Sequence, residues 1–145
     1  MSNGANIKDI EETDANEVMP NVWVGSGSDA YEVKDNPKYH LICVLEQKPV
    51  GFLKNFSWLP VLSKDEEGFD VARMESLDVI SSEIDKLLAR GFIVVVFCGA
   101  GMERSPLAVA WYVHKTVGIN IEDAYCWVKK HRRITTPRME WIKED

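Results

Sequence analysis

The run Val94-Val95-Val96-Phe97-Cys98-Gly99-Ala100-Gly101-Met102-Glu103-Arg104-Ser105-Pro106 constrains this chain more than any other stretch. β-branched residues stop at a cysteine, five residues with two glycines among them follow, and Arg-Ser-Pro opens an apolar helical segment. The pattern predicts a buried strand, a tight loop and a helix start, with Cys98 and Arg104 at the loop's two ends. Amides in a short glycine-containing turn can converge on one point and form an anion-binding nest. The helix start brings its unpaired N–H groups and positive dipole end to the same place. A thiol in that field is expected to ionise readily and act as a nucleophile. Arg104 offers a planar fork suited to two oxygens of a tetrahedral oxyanion. A cysteine that ends a strand is ordinarily a small buried hydrophobe. The spacing to Arg104-Ser105, with glycines between, favours a thiolate and oxyanion site instead.

At 145 residues the chain has room for one domain with a real core. A formal net charge of −6 argues against a general nucleic-acid binder. No apolar run reaches the ~18 residues that spanning a bilayer requires, so no membrane association is expected. The polar, acidic N-terminus is unlike a signal peptide. Three cysteines, Cys43, Cys98 and Cys126, are too few and odd in number for a disulfide framework. A cytoplasmic monomer is the expectation.

Residues 1–16 are polar, acidic and aperiodic, and are expected to form a mobile tail ahead of a domain over 17–145. A short strand follows Val18 and turns at Gly25-Ser26-Gly27-Ser28. That Gly-x-Gly lacks a third glycine and reads as a turn rather than a nucleotide loop. Asp29–Lys34 is predicted helical, ending before Pro37. Leu41–Leu45 and Phe56–Leu62 read as strands, and Ser63–Asp70 as an acidic loop. Val71, Met74, Leu77, Ile80, Ile84, Leu87 and Leu88 mark the stripe of a long amphipathic helix that Gly91 closes. Phe92–Phe97 is the central strand. Pro106–Val113 is apolar nearly all round and should be a buried helix ending at Gly118, and Asn120 caps another over Ile121–His131. Strand, helix and strand in this order imply a βαβ crossover. The fold class is therefore α/β: one domain with a central, mostly parallel twisted sheet of four to five strands flanked by helices.

Cys98–Ser105 resembles the Cys-x2-Gly-x2-Arg-Ser/Thr signature of cysteine-based protein phosphatases, in particular the small dual-specificity type. The resemblance runs from about residue 18 to 142. It takes in the strand before Gly25-Ser26, and the tail His131–Ile142, which resembles the family's Arg-x-Ile-x-Pro segment and closing helix. It implies hydrolysis of phosphotyrosine and phosphoserine or phosphothreonine on a protein or peptide partner, through a cysteinyl-phosphate, with no metal or cofactor. Cys98 would be the nucleophile and Arg104 the phosphate clamp. Gly99, Ala100, Gly101, Met102 and Glu103 would complete the phosphate-binding loop, and Ser105 would ease departure of the thiolate.

A poor leaving group needs a proton, and a general acid supplies roughly 10²–10⁴ in rate. By the resemblance, Trp58–Asp65 matches the family's acid-bearing segment and makes Asp65 the acid, 33 residues before Cys98. Glu66, Glu67 and Asp70 are the other candidates. Two departures stand out. Phe97 occupies the position where many relatives have His, and Glu103 adds a carboxylate at the pocket rim that disfavours highly charged ligands. Arg132, Arg133 and Arg138 read as solvated surface, with a second anion-binding patch as the sharper alternative. A phosphate-binding pseudophosphatase, or a cysteine-based arsenate reductase or sulfurtransferase, would use a similar loop. Cys43 or Cys126 could form a protective disulfide with Cys98.

Overall fold

In the computed structural model, which describes residues 7–144, the β-branched run is strand β7 (Ile93–Cys98). It lies at the centre of a five-stranded sheet. On one side β7 pairs in parallel with β2 (Val22–Ser26), whose outer neighbour β1 (Asn16–Met19) is antiparallel. On the other it pairs in parallel with β3 (Tyr39–Cys43), followed by parallel β4 (Phe56–Trp58). Both faces of β7 are covered, which is why it reads as a continuous apolar run. Val94, Val96 and Cys98 point into the larger core. Helices α2 (Met74–Ala89), α3 (Arg104–Val117) and α4 (Ile121–His131) lie on that face. Val95 and Phe97 point the other way, toward α1 (Gly27–Val33).

This alternation accounts for Phe97. Its ring packs tilted against Phe52 at 5.2 Å and lies 6.4 Å from Phe56, on the sheet face opposite Cys98. The aromatic belongs to the smaller core. Cys43 shares that face, buried among the same residues. A disulfide needs converging Cβ vectors, so Cys43 could bridge to Cys98 only if the backbone moved. Burial raises the Cys43 thiol pKa. Cys126 is exposed on α4.

Helix ends follow the sequence signals. Ser26 and Asp29 form a reciprocal capping box at α1, and Asn120 Oδ1 accepts the Asp123 amide at 2.8 Å at α4. Gly91 and Gly118 take positive φ just past α2 and α3. Leu77, Ile80, Ile84 and Leu87 are the buried stripe of α2.

Four expectations are corrected. The strand expected over Phe56–Leu62 stops at Trp58, ahead of Pro60, which has no N–H for the ladder. The acidic loop is the tip of a β-hairpin between β5 (Ser63–Lys64) and β6 (Asp70–Arg73), with Ser63 opposite Val71. Val71 is thus a strand residue, and α2 begins at Met74. In place of a closing helix there is one 3₁₀ turn, Met139–Trp141, and strand β8 (Ile142–Lys143), which pairs in parallel with β6. Residues 7–16, expected in a mobile tail, are packed: Ile10 is 1% exposed and its amide donates to Tyr39 Oη at 2.8 Å. Residues 1–6 of that segment lie outside the described residues.

Ile10 is a member of the smaller core. Ile10→Ala is expected to lower unfolding free energy by about 2–5 kcal/mol, read from the midpoint of urea denaturation.

Candidate active site

The loop after β7 is held from behind by its carbonyl groups. Gly99 O accepts from Gly27 N at 3.0 Å and Met102 O from Thr136 N at 2.7 Å. Gly101 O accepts from Arg132 Nε at 2.7 Å and Ala100 O from Arg132 Nη2 at 3.4 Å. In a trans peptide the following N–H points opposite to the carbonyl. Tying these four carbonyls outward therefore turns the amides of Ala100, Gly101, Met102 and Glu103 inward, as an anion-binding nest requires.

Gly101 is the position where no other residue fits. Its φ is +71°, and a Cβ there would meet Arg132 Nη2 at 2.5 Å and Gly25 O at 2.7 Å. Gly25 in turn faces Ala15 and Asp29, with a would-be Cβ 3.0 Å from Ala15 Cβ. The Gly25-Ser26-Gly27 segment serves close approach between β2, the loop and α1.

Cys98 lies at the floor, 3% exposed. Helix α3 has no side-chain cap; the sulfur takes that place, accepting the Ser105 amide at 3.4 Å. Ser105 Oγ lies 3.3 Å from Sγ and 3.4 Å from Gly25 O. The hydroxyl has one proton to donate. It can give it to Gly25 O while the sulfur is a thiol, or to the sulfur when that carries charge. The cavity above, about 280 Å³, is lined by Leu45, Cys98, Gly99, Ala100, Met102, Glu103 and Arg104.

Arg104, the first residue of α3, is half-buried and pairs side-on with Glu46, Nε to Oε1 at 2.7 Å and Nη2 to Oε2 at 3.0 Å. This hydrogen-bonded pair raises the Arg104 pKa and lowers that of Glu46. Glu103 pairs with the fork of Arg138, whose Nε donates at 2.9 Å and whose Nη2 lies closer still. Trp141 lies between the two cations, 5.9 Å from the Arg104 guanidinium carbon and 5.2 Å from that of Arg138. The rim carboxylate that was expected to repel anions is compensated by Arg138.

The fold brings Cys98, Ser105, Arg104 and loop residues 99–103 together. Asp65 is not among the residues that line their cavity. That residue sits in the hairpin tip, where Oδ1 accepts the amides of Phe69 and Glu67, both at 2.9 Å. These bonds, Phe69's first, hold its carboxyl below the usual carboxylate range. Asp70, at the base of the hairpin, pairs with Lys64 at 2.6 Å, and its charge adds a small raising effect on Glu46 and Arg104 beside their mutual bond.

Arg132 corrects the surface reading. It is 3% exposed, and besides the two loop carbonyls it donates to Asp14 O at 3.0 Å and Asn16 Oδ1 at 2.8 Å. It clamps the N-terminal segment to the loop. Glu46 carries no local sequence signal, and the only pointer to Arg132 is its place in the Arg-x-Ile-x-Pro-like segment.

A mostly parallel sheet flanked by helices thus carries a cysteine and an arginine at the two ends of one loop beside a small cavity. Residues 23–144 match the profile of the family "Dual specificity phosphatase, catalytic domain", and the chain belongs to that family. It is 25% identical over 133 residues to human dual specificity protein phosphatase 5, covering 87% of this chain and 33% of that protein. It is 28% identical to Xenopus laevis serine/threonine/tyrosine-interacting protein B, covering 88% of this chain and 61% of the relative. The chain thus spans about a third to three-fifths of the length of these relatives. The crystal structure of human DUSP28 superposes with a TM-score of 0.69 at 17% identity, covering 89% of this chain and 88% of that one. Among the described residues no helix is long and apolar enough to cross a membrane.

Arg132→Met removes the donors that hold Gly101 O and Asp14 O. It is expected to destabilise the fold by about 1–3 kcal/mol per buried acceptor left unpaired, measured by urea denaturation. It should also weaken inorganic phosphate binding measured by calorimetry.

Proposed function

We propose that this domain hydrolyses phosphomonoesters of tyrosine and of serine or threonine on protein substrates through a cysteinyl-phosphate. The observation that carries this reading is the sulfur of Cys98 on the cavity floor, accepting the Ser105 amide at 3.4 Å, with Arg104 on the wall. A phosphoryl group resting on the inward amides has its phosphorus in front of the sulfur. Sγ attacks, the P–O bond to the leaving group breaks, and loop amides and the Arg104 guanidinium hold the equatorial oxygens. Ser105 Oγ steadies the sulfur's charge before attack and again when water displaces it from phosphorus.

Asp65 enters as general acid and then base on the family resemblance. To act, its carboxyl must leave the Phe69 and Glu67 amides that keep its pKa low and meet the departing oxygen. The β5–β6 hairpin tip that carries it is exposed, with Phe69 67% accessible, so a bound peptide can contact it. Asp70, at the base of the same hairpin and paired with Lys64, is the second candidate for the acid.

A second reading, phosphopeptide binding without turnover, draws support from two observations. Arg104 is engaged by Glu46, and the Asp65 carboxylate is committed to its own turn.

Turnover of p-nitrophenyl phosphate and of phosphotyrosine and phosphothreonine peptides separates the two readings. The hydrolase reading expects vanadate-sensitive turnover that Cys98→Ser abolishes. Asp65→Asn should lower kcat by roughly 10²–10⁴ on alkyl phosphates and less on p-nitrophenyl phosphate, whose leaving group needs little protonation. An equal loss in Asp70→Asn with Asp65→Asn near wild type would move the acid to Asp70. Tight phosphopeptide binding with no turnover by wild type would favour the binding module.

A further inference from the structure

The Arg104 guanidinium is already in use. Its Nε and Nη2 donate side-on to both oxygens of Glu46, the geometry that also suits a phosphoryl group. Nε and Nη2 form the side-on edge of the guanidinium, so a phosphoryl group that takes Arg104 side-on from the cavity it lines meets the edge that Glu46 occupies. Carboxylate and phosphoryl oxygens thus want the same two N–H groups.

Glu46 is held in place for this contact. The backbone leading to it is fixed by Trp58 Nε1 donating to Leu45 O at 2.8 Å, Val61 N to Val44 O at 3.1 Å and Val44 N to Phe97 O at 3.0 Å. The other carboxylate at the mouth, Glu103, is taken by Arg138. Glu46 therefore lies against the arginine that lines the cavity beside Cys98, one residue past this hydrogen-bonded backbone.

We infer that Glu46 is an affinity-setting residue of this site, a carboxylate that competes with the incoming phosphoryl group for Arg104. The inference rests on the oxyanion-binding reading of the loop. Binding exchanges one ion pair for another: Arg104 turns its fork from the glutamate to the phosphoryl oxygens, and no bond to phosphorus is involved. The exchange weakens ground state and transition state alike, so Glu46 acts on KM and leaves kcat unchanged. A glutamate that merely braced Arg104 would do the opposite, and its loss would weaken binding.

The test compares wild type with Glu46→Gln and Glu46→Asp. Inorganic phosphate is titrated calorimetrically at neutral pH, and KM and kcat are measured on p-nitrophenyl phosphate. The expected result is phosphate binding tighter by about two- to fivefold in Glu46→Gln, the scale of a partly exposed ion pair. KM should fall by the same factor and kcat stay within about twofold. Glu46→Asp, one methylene too short to hold both nitrogens, should fall between. Unchanged or weaker phosphate binding in Glu46→Gln, with an unaltered melting temperature, overturns the inference whether or not the protein turns over esters. Tighter phosphate binding with no turnover by any variant sustains the inference while removing the hydrolase reading. Absence of phosphate binding by all three proteins overturns both.

Discussion

Everything at the mouth of this molecule depends on where four carbonyl oxygens point. A five-residue loop has enough freedom to offer an anion its oxygens as easily as its amides, and the first would repel what the second attracts. Gly27, Arg132 and Thr136 draw the carbonyls of residues 99–102 away from the cavity, so the peptide planes have no choice about their N–H groups. The donors come from α1 and from the segment after α4. The loop is therefore shaped by parts of the chain that precede and follow the central strand, and Gly101 leaves the space in which they meet.

The second organising feature is charge that is neutralised in pairs. Glu46 with Arg104 and Glu103 with Arg138 set two carboxylates and two guanidiniums around Trp141. In a chain of net charge −6, a phosphate site needs local compensation, because a bare acidic rim would oppose a dianion. Strand β8 and the 3₁₀ turn before it carry Trp141 to this place by pairing with β6, whose hairpin also bears Asp65 and Asp70. The hairpin, the C-terminal strand and the cavity rim are thus mechanically connected.

Much of the fold was legible because its signals are local. The Val94–Phe97 run, the glycine-rich loop, the stripe of α2 and the Asn120 cap each specify their element within a few residues, and the parallel pairing follows from their alternation. The β5–β6 hairpin was not legible. Its strands are two and four residues long, its tip is acidic, and Val71 happens to fall in helical phase with Met74. The N-terminal segment was misread for a related reason: two buried apolar residues, Ile10 and Ala15, anchor it, and one such pair sets no period. Phe97, read as a departure at the active site, turned out to belong to the other face of the sheet, a consequence of strand alternation.

The sequence by itself determined that a cysteine and an arginine bracket a glycine-bearing loop between a buried strand and a helix, since those residues are neighbours along the chain and their spacing survives any arrangement of the rest. Only the tertiary structure decided which way the loop's amides face, that Arg132 is a buried clamp and that Glu46 holds Arg104. Each of those contacts joins residues between about thirty and one hundred and twenty positions apart. At that separation the meeting of two side chains is set by how sheet and helices pack, and no periodicity or motif in the chain records it.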